Sequence, residues 1–274
     1  RSSAASDVYK RQVQGRSEVW VGEQSGKTQD RGEVVPATDC VVACASVAPK
    51  GNKKYVALTF DEGPSGATKQ ILQVLKEKGV TATFFLSGDA VEASPVTAKA
   101  IVDAGCEIGS NSYSDDSLKG QDREAVREQI TKGTDAIKSA TGVKTMLLRA
   151  PYAAFDEQNW IDAMDLVSAV VSWNIDSGDW LLNGADEQVS TVLDSVTPGN
   201  IVLLTDRDEC AEQTLEALPQ IIDGLIADGY KIVTLSDLVK TDTSLSKKLT
   251  SLTKVTMPKD AVFPQLAEDD DTTE

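Results

Sequence analysis

YVALTFDEGPS, residues Tyr55–Ser65, is the stretch on which the reading of this chain turns. An apolar run stops at two adjacent carboxylates, Asp61 and Glu62, and a Gly63-Pro64 turn follows. The pattern reads as a buried strand delivering acids to a loop. Acids held at the end of a core strand can serve as a general base and a metal ligand. Asp and Gly are also ordinary turn residues, so the stretch taken alone favours a solvated turn. Its neighbours have to decide.

Outward from this run the pattern becomes regular. Ile71, Leu72, Val74 and Leu75 trace a helical face that Gly79 closes. Ala82–Leu86 predicts a buried strand, and Ser94-Pro95 opens a helix that Gly105 ends. Glu107–Ser110 predicts a short strand; Val126, Ile130 and Ile137 mark a longer helix before a strand at Thr145–Arg149. A helix around Trp160, Ile161 and Met164 precedes a strand at Ala169–Trp173. Val189, Val192, Leu193 and Val196 give another helix, then comes IVLLT at Ile201–Thr205. Leu215 to Ile226 forms a last long helix with Pro219 as a kink point, and Lys231–Thr234 is the final strand.

Seven strands alternating with helices predict an α/β fold with a parallel sheet and helices outside it. Continuous apolar strands such as IVLLT fit a sheet covered on both faces. An open doubly wound sheet and a closed barrel both satisfy the pattern. Either one gathers functional residues at the carboxyl ends of its strands.

Composition narrows the partners. The 274 residues, 41% of them hydrophobic, suffice for one large domain or two small ones. A net charge of −16 argues against binding phosphate backbones, so no nucleic-acid partner is expected. No run approaches the apolar length of a transmembrane helix. The chain has no histidine, so metal ligation and general acid–base work must fall to other groups or be absent.

The ends of the chain read differently from its middle. Residues 1–12, RSSAASDVYKRQ, have no periodicity or initiator Met and look like translated sequencing-adapter sequence. They are set aside as an artefact, with the expectation that a signal peptide or an upstream domain is missing. Residues 13–54 read as a linker or N-terminal extension with a strand-like piece at Val19-Trp20-Val21. Cys40 and Cys44 in that stretch are weak evidence for zinc, and a local disulfide and two free thiols stay equally open. Residues 242–274, ending in EDDDTTE, read as a solvated, acidic tail. Cys106 and Cys210 fall at opposite ends of strands about 17 Å long, beyond disulfide reach, and are expected to be free.

The strand ends speak together. The first stops at Asp61-Glu62, the third at Asn111-Ser112-Tyr113-Ser114-Asp115, and the fourth at Arg149-Ala150-Pro151-Tyr152. The fifth leads to Asp176, Asp179 and Trp180, and the sixth to Thr205-Asp206. Five polar clusters on one rim mark a functional, or formerly functional, mouth.

In order and spacing these clusters resemble the polysaccharide deacetylases of the NodB-homology type, carbohydrate esterase family 4, over residues 55–241. The resemblance implies a deformed (β/α)7-type barrel. It also implies metal-dependent removal of acetyl groups from chitin, peptidoglycan or related glycans, by hydrolysis of an amide C–N bond. The family's TFDDGP appears as Thr59-Phe60-Asp61-Glu62-Gly63-Pro64. Asp61 thereby takes the catalytic-base position, and Glu62 stands where a ligating Asp is expected. Its extra methylene displaces the carboxylate by more than a metal–oxygen distance tolerates without adjustment. In the second motif two histidine ligands are replaced by Asn111 and Asp115.

The third motif, RxPY, is intact at Arg149, Pro151 and Tyr152, which the resemblance makes the base's partner and an oxyanion-hole contributor. The fourth is present as Asp176 to Trp180, with Asp179 orienting the catalytic acid and Trp180, like Tyr152, lining the groove. The fifth puts Thr205 in place of the catalytic-acid histidine.

Missing acid alone costs about 10²–10⁴-fold in rate, and a missing metal adds several kcal/mol to the barrier. The expectation is therefore a degenerate member, a pseudoenzyme without a cofactor that keeps a glycan-binding or structural role. The resemblance places it in the cell envelope or outside the cell. One alternative is an active enzyme whose Glu62, Asn111 and Asp115 hold Zn²⁺, Mn²⁺, Mg²⁺ or Ca²⁺ through oxygen, with Asp206 or Asp179 as proton donor. Another is a structural domain paired with an active upstream copy.

Overall fold

The computed structural model describes residues 18–21, 47, 49–51, 53–155, 157–163, 165–167, 169–242 and 253–256. Cys40, Cys44, Met164 and residues 1–12 lie outside them, as do the side chains of Trp160 and Ile161.

Strand β1 (Glu18–Val21) covers the expected Val19-Trp20-Val21 piece. The main sheet begins with β2 (Tyr55–Asp61), buried from Val56 onward. Then follow α1 (Thr68–Lys78), β3 (Thr83–Leu86), α2 (Gly88–Ala93), α3 (Pro95–Asp103), β4 (Glu107–Ser110) and α4 (Arg123–Thr141). The second half holds β5 (Leu147–Leu148), α5 (Glu157–Ala163), β6 (Ala169–Val170), β7 (Ile175–Asp176), α6 (Ala185–Ser195) and β8 (Ile201–Thr205). It closes with α7 (Ala211–Ala227), which runs through Pro219, then β9 (Lys231–Ile232), α8 (Leu235–Lys240) and β10 (Thr253–Thr256).

Strands β2 to β9 form one parallel sheet in the order β6-β5-β4-β3-β2-β8-β7, with β9 pairing on β2. Alternate residues serve opposite faces, as strand geometry requires. Ala57, Phe85, Leu148, Ile201 and Leu203 belong to one core cluster with Trp173. Val56, Leu58, Phe60, Phe84, Leu86, Val202 and Leu204 belong to another, with Ile71, Leu75, Ile137, Leu218 and Ile221 from the surrounding helices. This two-sided burial is why the strands read as unbroken apolar runs. The sheet is the curved frame of a deformed (β/α)7-type barrel.

The expected strand at Ala169–Trp173 is corrected. Only Ala169–Val170 pairs, at one edge of the sheet, and Ile175–Asp176 pairs at the other edge. Among the described residues the sheet therefore has eight strands, not seven. Between them Val171–Asn174 crosses the gap: Val171 N donates to Leu148 O at 2.7 Å and Asn174 N to Ile201 O at 2.9 Å. Trp173 is buried in the inner cluster, and the carbonyls of Val171 and Ser172 turn onto Arg149 instead of a neighbouring strand. Core filling and a buried cation interrupt the ladder there.

Other boundaries shift less. Thr145–Arg149 contracts to β5, and the last strand stops early because Thr234 caps α8 through the Asp237 amide. Helix α2 was not expected. Its Gly88 and the mid-helix Gly133 of α4 meet so closely that a Cβ on Gly88 would lie 2.8 Å from Gly133 Cα. A Cβ on Gly133 would lie 2.4 Å from Ser112 O. The two glycines seat the loop after β4 against both helices.

Two outer segments join the barrel. Val47, at the end of the stretch read as linker, is fully buried, and Lys50 N donates to Thr241 O at 3.1 Å. In the tail read as solvated, β10 pairs antiparallel with β1. Cys106 and Cys210 are free and buried, as expected.

Candidate functional site

The predicted site residues come from the ends of five strands, β2, β4, β5, β7 and β8. Asp61 ends β2 and lies beside Thr205, its register partner on β8. Glu62 has φ 73°, Ser112 φ 65° and Tyr152 φ 59°, so the first three motifs each carry a non-glycine residue in the left-handed region. Such strain gathers where side chains must be aimed into a site.

The interior of the mouth is built on Arg149. It is 1% exposed, and its Nη1 donates to Oδ1 of Asp61 and to Oγ1 of Thr59, both at 2.7 Å. Nε reaches Val171 O at 3.2 Å and Nη2 reaches Ser172 O at 3.0 Å. The guanidinium also faces the Phe85 ring at 4.2 Å and the Trp173 ring at 5.6 Å. Every edge of the fork is thus used, as a buried arginine demands. Burial pushes the Asp61 carboxyl up to about 6, against the pull of Arg149.

Asp179 faces Thr205. Its Oδ1 accepts the Thr205 hydroxyl at 2.7 Å, and its Oδ2 accepts the Thr205 amide at 2.6 Å and the Thr214 hydroxyl at 3.1 Å. Burial raises the Asp179 pKa while these donors lower it. Asp206 turns away from the mouth. Its two oxygens accept the hydroxyls of Ser65 and Thr68, each at 2.6 Å, and its amide donates to Asp61 O at 2.8 Å. It packs so tightly on Gly63 that a Cβ there would lie 2.2 Å from Oδ2. Asp206 shapes the loop after β2; its raised pKa follows from burial.

Trp180 sits half-buried on the short turn Asp179–Leu181, its indole N–H donating to Asp176 Oδ1 at 3.1 Å. Leu182 beside it is 58% exposed.

Glu62, Asn111, Asp115 and Tyr152 make the other side. Asn111 is buried and gives its side-chain N–H to Arg149 O at 2.8 Å. Tyr152 donates its hydroxyl to Asp115 Oδ2 at 2.5 Å. Arg207, which the sequence reading missed, completes the group: its Nε lies 2.7 Å from Glu62 Oε2 and its Nη2 3.6 Å from Asp115 Oδ2. Burial raises the pKa of both carboxyls, opposed by Arg207 and, for Asp115, more strongly by the Tyr152 hydrogen bond. The signal for Arg207 was its position, a cation directly after Thr205-Asp206.

The structure is a parallel, helix-covered barrel with an acid–arginine pair at its mouth, and the comparisons give the family. Residues 48–167 match the polysaccharide deacetylase family. A bifunctional xylanase/deacetylase of Pseudobutyrivibrio xylanivorans is 37% identical over 189 residues, 68% of this chain and 31% of that protein. A peptidoglycan-N-acetylglucosamine deacetylase of Bacillus cereus is 32% identical over 217 residues, 78% of this chain and 79% of that one. The crystal structure of a CE4 family pseudoenzyme from Bacillus anthracis superimposes with a TM-score of 0.64 at 32% identity, over 69% of this chain and 66% of that one. The chain belongs to the polysaccharide deacetylase family, carbohydrate esterase family 4.

That family is generally metal-dependent, which makes the donor set here a test. Among the described residues no group of three or more His, Cys, Asp or Glu is placed to hold a metal ion. The carboxylates at the ligand positions are paired with a guanidinium and a phenol. As arranged, these residues do not fit the family metal.

Proposed function

We propose that this domain binds N-acetylated glycans of the peptidoglycan or chitin kind, in the cell envelope or outside the cell, without hydrolysing them at an enzymic rate. Thr205 carries the reading. Its hydroxyl donates to Asp179 at 2.7 Å, at the position where the family mechanism protonates a leaving amine. A threonine hydroxyl is no acid near neutral pH. Asp179 and Asp206 already accept hydrogen bonds on both oxygens.

The glycan side of the proposal rests on what remains. Trp180 and the exposed Leu182 offer an apolar wall of the kind on which a sugar ring packs. The relatives named as peptidoglycan deacetylases supply the substrate class. Asp61, Arg149 and Tyr152 keep the shape of the groove floor.

Acetate release decides the matter. Purified protein is incubated with N-acetylglucosamine oligomers or peptidoglycan fragments, with and without Zn²⁺, Mn²⁺, Mg²⁺ or Ca²⁺. We expect no release above the blank, and glycan binding at millimolar concentration or below. Metal-dependent release abolished by Asp61→Asn would establish an enzyme working through Glu62, Asn111 and Asp115 instead. Absent binding at millimolar glycan would leave a structural role.

A further inference from the structure

Two of the three altered ligand positions, Glu62 and Asp115, converge on a cation that belongs to the chain. Glu62 comes from the loop after β2, Asp115 from the loop after β4, and Arg207 from the loop after β8. The guanidinium Nε is 2.7 Å from Glu62 Oε2, and Nη2 is 3.6 Å from Asp115 Oδ2. Two carboxylates from separate loops cannot share a half-buried space unless a positive charge sits with them or they take up protons. In the family pattern a divalent ion would supply that charge.

We infer that Arg207 is an internal replacement for the metal. Its guanidinium neutralises Glu62 and Asp115, ties three strand-end loops together and keeps divalent ions out. The chemistry suits that role. A guanidinium is always protonated and offers directional N–H donors to carboxylates. It cannot carry a water molecule to be ionised, so the swap keeps the electrostatics and drops the Lewis acid. It is also covalently part of the chain, so no chelator removes it and no competing ion displaces it by mass action. The third oxygen that could ligate, in Asn111, belongs to an amide oriented by its bond to Arg149 O.

Metal titration tests the inference independently of any glycan. Chelator-treated protein is titrated with Mn²⁺, followed by electron paramagnetic resonance, and with Zn²⁺, followed by calorimetry. Wild type and Arg207→Lys should take up no stoichiometric ion at millimolar metal. Arg207→Ser should gain affinity by about 30-fold or more, the repulsion of a doubly charged ion by one charge about 4 Å away even in water. Asp115→Asn added to Arg207→Ser should abolish the gain. Chelator should leave the wild-type melting temperature unchanged.

One equivalent of metal on wild type, at the affinity of Arg207→Ser, would overturn the inference. So would Arg207→Ser that gains nothing, or a double variant that keeps the gain. A thermal melt of each variant checks folding, and the wild-type and Arg207→Lys arms can refute the idea without any cavity-forming change.

Discussion

Arg149 and Arg207 each meet a carboxylate at 2.7 Å, yet the first has a side chain 1% exposed and the second 38%. Arg149 is held on all sides by Asp61, Thr59, two main-chain carbonyls and two aromatic rings. Arg207 touches side chains of the rim, where water is close. Equal distances therefore conceal unequal energies, because a desolvated pair loses far more when broken than a wet one. The contrast does not follow the motifs, since the altered Asn111 and Thr205 are buried while the altered Glu62 and Asp115 are partly exposed.

Breaking the floor should have the largest effect. Arg149→Met leaves Asp61 and the Val171 and Ser172 carbonyls without their donor and should cost about 3–5 kcal/mol; urea unfolding measures it, and a loss under about 1 kcal/mol would remove the contrast. Next comes the pH response of Asp61. Burial pushes its carboxyl up to about 6, above the ordinary carboxylate range. Its stabilising contribution is full below pH about 4 and is lost as pH rises through 6, by up to about 3 kcal/mol. The stability difference between wild type and Asp61→Asn should accordingly shrink from pH 4 to pH 6. A constant difference would place the proton elsewhere.

Thr205→Val tests the ground between floor and rim. Asp179 would lose one hydroxyl and keep the amide and Thr214, so the cost should be about 1–2 kcal/mol in the same assay. The smallest change belongs to the rim. Arg207→Gln should alter stability by about 1 kcal/mol or less, since solvent screens that pair, and added salt should reduce it further. A larger loss, unmoved by salt, would make Arg207 as structural as Arg149.

Much of the barrel was legible because strands covered on both faces must be largely apolar, as Val56–Leu58 and Ile201–Leu204 are. The break at Val171–Asn174 was not. A buried run reads as a strand whether its carbonyls meet a neighbouring strand or a guanidinium, and only the fold decides which. The family resemblance pointed to Asp61, Arg149, Asp179 and Thr205, and in the fold Arg149 meets Asp61 and Thr205 meets Asp179. Nothing in the sequence tells that the Ser65 and Thr68 hydroxyls hold both oxygens of Asp206. Arg207 escaped because its place after Thr205-Asp206 shows only that a cation follows the strand; its role depends on two carboxylates distant in the chain.

The Val171–Asn174 crossing has a practical consequence for reading other chains of this fold. Arg149 grips its two carbonyls while pairing with Asp61, so one residue closes the barrel and serves the mouth. Selection for folding alone would then retain Arg149, and with it an acid to balance its charge, after all turnover had ceased. The acid–arginine pair is therefore no proof of activity by itself, because the same arginine also holds the fold. The residues worth inspecting are those the fold can spare, at the positions held here by Glu62, Asp115, Thr205 and Arg207.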